Sequence, residues 1–359
     1  MSELRLMKGN EVVAEAAIRC GCDAYFGYPI TPQSEVMETL MELQPWETSG
    51  MVVLQAESET ASINMVYGAA SAGKRVMTSS SSPGISLMAE GLSYLAGAEL
   101  PCLVVDVSRG GPGLGTIQPS QADYFMATKG GGHGDFHLIV LAPASVQEMH
   151  DFVFLAFDLA FKYRNPAMIL ADGVIGQMME KVQLHAPLPR RTDEEIARSS
   201  GSWAVTGKRN RRRNIITSVE LDPAVHEKFN QKLQAKYAAI REQEVRYEEL
   251  LCSDAEYLIA AYGISARIGQ KAVELLRAEG VKAGLFRPIT LFPFPAKEIA
   301  ARAAQLKGIL CVELSAGQMV EDVRLSVGNR LPVAHFGRNG GVIHSPSEVV
   351  EAMKKMIND

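Results

Sequence analysis

The order of apolar and polar positions along the chain predicts short buried strands alternating with helices. Asn10 precedes a stretch in which Val12, Val13, Ala16, Ala17 and Cys20 recur with the helical period. Ala24-Tyr25-Phe26-Gly27 is an unbroken run closed by glycine, as a strand buried on both faces reads. Pro29 and Pro32 then stiffen a turn, with Thr31 or Ser34 placed to cap a helix carrying Val36, Met37, Leu40 and Met41. The alternation continues with strands over 51–54, 75–78, 103–107, 138–141 and 167–171, and with helices from Glu59, over 85–96 and over 146–161. Strands spaced by helices imply a parallel sheet covered on both faces.

In such a sheet, ligands bind beyond the carboxyl ends of the strands. Four loops leave strands there, over 28–33, 55–59, 79–84 and 108–121, and together they form the candidate site. The second carries two acids, Glu57 and Glu59, at a strand-to-helix junction, where a carboxylate caps the helix or faces a ligand. The small residues that follow (Ala61, Ser62, Gly68, Ala69, Ala70) predict a helix that approaches its neighbours closely and is buried. The fourth loop is glycine-rich with Arg109 as its sole cation between 108 and 115, suited to gripping a carboxylate with two N–H groups. Spacing alone leaves open whether Arg109 is such a clamp or an arginine on a surface loop.

Composition narrows the class. The 359 residues, 47% of them hydrophobic, are enough for two domains with substantial cores. A net charge of -5 offers no electrostatic case for nucleic acid or an anionic membrane. No run approaches the roughly 20 apolar residues of a membrane span, and the first residues lack the apolar core of a signal peptide, so a cytoplasmic protein is expected. The five cysteines are scattered, which fits buried free thiols and supplies neither a disulfide framework nor an iron–sulfur or zinc ligand set.

Other motifs carry less. Gly68 to Lys74 matches the first seven positions of a phosphate-binding loop, but Arg75 stands where a magnesium-holding Ser or Thr belongs, and the segment leads from helix to strand. No Gly-x-Gly-x-x-Gly follows the first strand, against a dinucleotide-binding domain. His133 and His137 are four apart among glycines that forbid a helix, so they read as solvated or structural residues. Asp172-Gly173 reads as a turn.

Beyond residue 200 the organisation changes. The basic cluster over 208–213 reads as a solvated loop or a patch for an acidic partner. From Asp222-Pro223 a helix with Val225, Phe229, Leu233, Tyr237 and Ile240 on one stripe is expected to run to residue 251, about 40 Å, as a strap or a linker. Strands over 257–262, 283–286, 309–312 and 333–336 alternate with helices in a second α/β unit. The proline-rich segment 287–295 reads as an extended arm suited to a subunit interface. The division expected is 1–200, a linker over 201–252, and 253–359.

Read together, YPITPQSE, QAESETAS, MTSSSSPGISLM, SRGGPGLGTIQPSQ, KGGGHGD and GLFRPITLFPFP resemble the alpha subunit of thiamine-diphosphate-dependent 2-oxoacid:ferredoxin oxidoreductases, in family order over nearly the whole chain. GPGLGTIQPSQ and EQEVRYEE are most similar to the branched-chain (2-oxoisovalerate) type; Ser82, where many relatives have Gly, departs from the wider family. The resemblance implies a parallel-sheet pyrimidine-binding domain followed by a transketolase C-terminal-like domain. It implies that Glu59 is the catalytic acid that bonds the aminopyrimidine of thiamine diphosphate, with Ser82, Pro83 and Gly84 beside the cofactor. Thr31 and Arg109 match positions facing substrate, with Glu57 the lesser acid. It further implies that magnesium and iron–sulfur clusters reside on partner subunits. Those partners are a beta subunit carrying the diphosphate site, a gamma subunit and a ferredoxin-like delta subunit, working with coenzyme A and ferredoxin. A 2-oxoglutarate-type alpha subunit and a nucleotide-binding phosphotransferase built on the near phosphate loop are the alternatives.

Overall fold

The computed structural model describes residues 3–207 and 212–358, so the core of the basic cluster at 208–211 lies outside the described residues. Strands β1 (Glu3–Lys8), β2 (Ala24–Gly27), β3 (Val52–Gln55), β4 (Val76–Ser80), β5 (Leu103–Ser108), β6 (Ile139–Leu141), β7 (Ala167–Asp172) and β8 (Met179–Leu184) belong to the first half. After the helix Pro223–Gln243 come β9 (Tyr247–Leu250), β10 (Tyr257–Ala260), β11 (Ala283–Pro288), β12 (Thr290–Phe292), β13 (Gly308–Glu313) and β14 (Val333–Gly337). They build a seven-stranded sheet in the order β12-β6-β7-β5-β4-β2-β3, a five-stranded sheet β14-β13-β10-β11-β9, and the β1-β8 pair.

The alternation read from the sequence is present, and its discrepancies have physical causes. β4 runs on through Ser79 and Ser80, which are polar yet wholly buried. The Ser79 hydroxyl serves neighbours instead of water, donating to Gln33 Oε1 at 2.6 Å and lying 2.8 Å from the Tyr25 hydroxyl, while Ser80 Oγ has no partner among the described residues. The helix Ser34–Leu43 starts behind Gln33 with no side-chain cap, so neither Thr31 nor Ser34 caps it. The helix Glu59–Ser71 buries Ser62, Ile63, Val66 and Ala70 but leaves Asn64, Met65 and Gly68 exposed, so the small-residue segment is only half buried.

Two expectations for the second half are overturned. The helix Pro223–Gln243 stops after 21 residues, about 32 Å, because the chain is drawn off to pair β9 antiparallel with β11. It does strap the first domain: Leu233, Tyr237 and Ile240 are buried, Lys236 Nζ donates to Arg164 O at 3.1 Å, and Tyr163 OH to Gln243 Oε1 at 2.9 Å. Val225 at its start stays exposed. The proline-rich segment is no extended arm. Thr290, Leu291 and Phe292 are buried as β12, which pairs antiparallel with β6 at the edge of the first sheet. Phe292 stacks on His137 at 4.2 Å, giving that histidine a structural role.

The two sheets are locked at the carboxyl edge where the site is expected. Gln121 Nε2 donates to Tyr262 O at 2.9 Å, and its Oε1 accepts from Ser265 Oγ at 2.7 Å and Leu314 N at 2.9 Å. Asp172 is a lock as well, where a simple turn was expected. Its Oδ1 accepts from Val174 N and Ile175 N and its Oδ2 from Ile264 N at 3.0 Å in the second domain. Burial pushes its carboxyl up to about 6 despite those three donors. Every cysteine is buried and free. Among the described residues no helix is long and apolar enough to cross a membrane.

Candidate active site

Strand order places the crevice. β3 lies on one side of β2 and β4 on the other, so the chain reverses direction of travel between β2 and β4, and the loops leaving these strands diverge. Residues 28–33 form one wall, and the start of the helix Ser82–Gly97 with Arg109 forms the other.

Glu59 opens its helix at the first wall's flank, beside Ser58, whose side chain caps that helix by accepting from Ala61 N at 3.2 Å. The cap is thus supplied by a neighbour, and the Glu59 carboxylate is left free. It is 6% exposed, and among the described residues no hydrogen bond reaches it. Facing it is Gly84: a Cβ there would stand 2.7 Å from Glu59 Oε1 and 2.0 Å from Ser80 Oγ, so any side chain would close the space over the acid. Glu57 is exposed and accepts from Ser58 Oγ at 2.9 Å, which separates the two acids sharply.

Arg109 is 8% exposed, so it is not a surface arginine. Its Nη1 donates to Thr31 O across the crevice at 2.8 Å, while Nε has no partner and no carboxylate of the described residues pairs with it. A buried guanidinium without an anion is costly to keep. The loop behind it is a rigid hairpin. Arg109 bridges Pro119, Gly110 N donates to Gln118 O at 2.9 Å, and Gly115, at φ +57°, sits where a Cβ would strike Gly110 O at 1.8 Å. Thr31 itself is exposed, and its main-chain carbonyl is what the Arg109 head group reaches. The Ser82 hydroxyl, by contrast, is engaged inside the protein: it accepts from Arg109 N at 3.0 Å and donates to Asp123 Oδ2 at 2.5 Å. Pro83 is half buried beside it.

Sequence reasoning missed Asp106 and Asp123, both buried behind Ser82, the one in the middle of an apolar strand and the other in a loop. An acid interrupting Leu103-Val104-Val105 was the available signal. It also missed His150, Asp151 and His185, outside the crevice. His150 Nε2 accepts from His185 N at 3.3 Å, which leaves Nδ1 to donate to Asp151 Oδ1 at 2.9 Å, and His185 Nε2 reaches the same oxygen at 3.1 Å. The three satisfy one another. The phosphate-loop reading fails on geometry: Gly68 is exposed on a helix that ends at Ser71, the chain then enters β4, and Lys74 is taken by Asp193 at 2.9 Å.

Comparison with known proteins shows the family. Residues 15–249 match the family model described as pyruvate flavodoxin/ferredoxin oxidoreductase, thiamine-diphosphate-binding, and residues 255–349 match pyruvate:ferredoxin oxidoreductase core domain II. The chain is 51% identical over 357 residues to ketoisovalerate oxidoreductase subunit VorB of Methanothermobacter thermautotrophicus, covering 99% of this chain and 98% of that one. It is 36% identical to 2-oxoglutarate synthase subunit KorA of Archaeoglobus fulgidus, over 93% of this chain and 95% of the relative. Among solved structures it superposes with a TM-score of 0.86 and 29% identity on 2-oxoglutarate:ferredoxin oxidoreductase from Magnetococcus marinus, covering 99% of this chain and 65% of that one. A split-gene transketolase, at 14% identity and TM-score 0.61, shares the fold. The chain belongs to the thiamine-diphosphate-binding family of 2-oxoacid:ferredoxin oxidoreductase subunits, with the pyrimidine-type domain followed by the transketolase C-terminal-like domain.

Proposed function

We propose that the chain is the alpha subunit of a multi-subunit oxidoreductase that oxidatively decarboxylates a branched-chain 2-oxoacid, 2-oxoisovalerate, to its acyl-coenzyme A and passes the electrons to ferredoxin. Residues 1–200 would form its pyrimidine-binding domain, 201–252 the linker and 253–359 the second domain. One observation supports this reading: two buried, opposite charges flank the start of the helix Ser82–Gly97, the Glu59 carboxylate facing Gly84 and the Arg109 guanidinium beside Ser82 and Thr31, and neither has an ion-pair partner among the described residues.

Those residues fit the cofactor and the substrate. Thiamine diphosphate, when bound, supplies the electron sink for decarboxylation. Glu59, unpaired and in front of the open Gly84, would hold a proton at the aminopyrimidine nitrogen, with Pro83 and the main chain of Ser82 along the ring. Arg109 would orient the substrate carboxylate with two parallel N–H groups, and Thr31 would close the mouth of the crevice over it. The rest of the substrate is apolar in this reading. The loop 108–121 carries exposed Leu114 and Ile117 and no second cation for a distal carboxylate, which favours a branched acid over 2-oxoglutarate.

The remaining parts would come from partners: magnesium and the diphosphate site from a beta subunit, iron–sulfur clusters from partner chains including a ferredoxin-like delta subunit, and a gamma subunit for coenzyme A chemistry. A cytoplasmic complex is the setting proposed. The helices Glu59–Ser71 and Ser82–Gly97 that flank the site expose Met65 and Leu87, which supports a partner seated against them. Turnover of a panel of 2-oxoacids by the assembled complex, with coenzyme A and a redox dye, tests the proposal. Preference for branched acids is expected; preference for 2-oxoglutarate, or activity of this chain alone, would overturn it.

A further inference from the structure

Asp106 is fully buried in β5, and neither of its carboxylate oxygens has a hydrogen-bond partner. What faces it is a second buried carboxyl, Asp123. Two carboxylates offer each other only acceptors, so they bond only if one of them carries a proton. The other neighbours offer only neutral donors: the main-chain N–H of Ser82 favours a charged Asp106, and the hydroxyls of Ser82 and Ser108 favour a charged Asp123, but burial outweighs them in both. Among the described residues no cation stands against either acid. The remaining titratable groups around the pair are acids or a phenol. Asp172 lies beside Ser108 in the β5–β7 register, Glu59 lies across Ser80 and Gly84, and Tyr262 approaches from the second domain. Arg109 donates through Nη1 to Thr31 O. Burial raises both Asp106 and Asp123, Asp106 well above the ordinary carboxyl range with Asp123 adding to the effect.

A hydrogen-bonded chain runs outward from these acids. Ser82 Oγ donates to Asp123 Oδ2 at 2.5 Å and accepts from the main-chain N–H of Arg109 at 3.0 Å. The same hydroxyl has a competing acceptor in Arg109 O at 3.2 Å, so its hydrogen has two places to go, and the charge on Asp123 decides between them.

We propose that Asp106 and Asp123 share one proton and, through Ser82, act as positioning residues that hold the main chain of Arg109 in register with the substrate. In this arrangement Asp106 donates to Asp123, Ser82 donates to Asp123, and Arg109 N–H donates to Ser82, so every hydrogen is committed in one direction. Loss of the shared proton leaves two like charges in contact without a donor between them. They separate, Ser82 follows, and the Arg109 main chain shifts. The consequence for the reaction rests on the proposed substrate-gripping role of Arg109; the shared proton does not.

Infrared spectroscopy of the full chain tests the proton directly. A carbonyl stretch of a buried protonated carboxyl is expected near neutral pH, lost from Asp106→Asn and shifted in frequency in Asp123→Asn. A wild-type spectrum lacking that band overturns the shared proton. The assembled enzyme tests the link to substrate. The wild-type KM for 2-oxoisovalerate should rise as alkaline pH ionises the pair, with kcat changing little. Asp106→Ala should raise KM about tenfold, the scale of one lost hydrogen bond to a charged group. Asp106→Asn, whose amide donates to Asp123 permanently, should restore KM to within about twofold and flatten its pH dependence. If the infrared band is present but Asp106→Asn leaves the KM–pH profile of the wild type, the positioning role is overturned. If Arg109→Ala leaves KM unchanged while the band persists, the failure belongs to the reading of Arg109.

Discussion

Both sheets bury a glutamate just beyond or at a strand's carboxyl end, yet they treat it in opposite ways. Glu313, at the end of β13, is wholly buried and accepts from Ser315 Oγ at 2.7 Å, Gln318 N and Met319 N at 3.0 Å, and Val320 N at 3.1 Å. It caps the helix Met319–Val327 and is finished as a structural element. Glu59, beyond β3, is nearly as buried and receives nothing, because Ser58 has taken the capping role. The same position in the same kind of sheet gives a lock where the carboxylate is satisfied, and a binding group where it is left over. Unsatisfied polarity, more than burial or position, separates the two.

Substituting Glu59 puts the most strain on that contrast. Glu59→Gln should leave folding, assembly and cofactor binding intact while turnover of the assembled enzyme falls about 10²–10⁴-fold, the usual contribution of a positioned acid. Deuterium exchange at the thiazolium C2 of bound thiamine diphosphate locates the defect, and exchange at the wild-type rate would reduce Glu59 to a bystander. Glu57→Gln, at the exposed neighbour, should do far less.

Arg109 is the cationic counterpart. Arg109→Ala should raise the KM for the 2-oxoacid and weaken transition-state binding by about 2–5 kcal/mol, and Arg109→Lys should recover only part, since a point charge cannot reproduce the fork. Unchanged steady-state kinetics would return the residue to the scaffold. On the satisfied side, Glu313→Ala strands three backbone N–H groups and should cost the isolated chain about 2–4 kcal/mol, read as a lowered midpoint in urea. An unchanged midpoint would break the distinction drawn here.

Asp172 sharpens the comparison most finely, because it is satisfied by three N–H groups and still raised to about 6 by burial. A carboxyl whose folded pKa lies above its unfolded value contributes stability that is complete below the unfolded value, near 4, and lost as pH rises through the folded one. Thermal stability should therefore fall between about pH 4 and 6, by at most about 3 kcal/mol. Asp172→Asn should flatten that part of the profile; an identical slope in the variant would assign the dependence to other groups.

Much of this protein was settled by local sequence. The strand and helix alternation follows from apolar period, and Glu59 at a strand-to-helix junction, the serine turn and the glycine-rich loop were all visible as residue types at the right spacing. The family resemblance rests on the same local runs. What the chain order could not reveal were pairings between residues far apart. β12 lies 150 residues from its partner β6, and proline-rich composition hid it as an arm. Whether Arg109 faced water or a crevice depended on Thr31, 78 positions away, and on the hairpin closed by Pro119. The Asp106–Asp123 contact and the Asp172–Ile264 lock arise only when two loops and two sheets meet. Local propensity and period act over a few residues and so are written in sequence. The desolvation that leaves one carboxylate satisfied and another wanting a partner is a property of everything packed around it, and only the tertiary structure decides that.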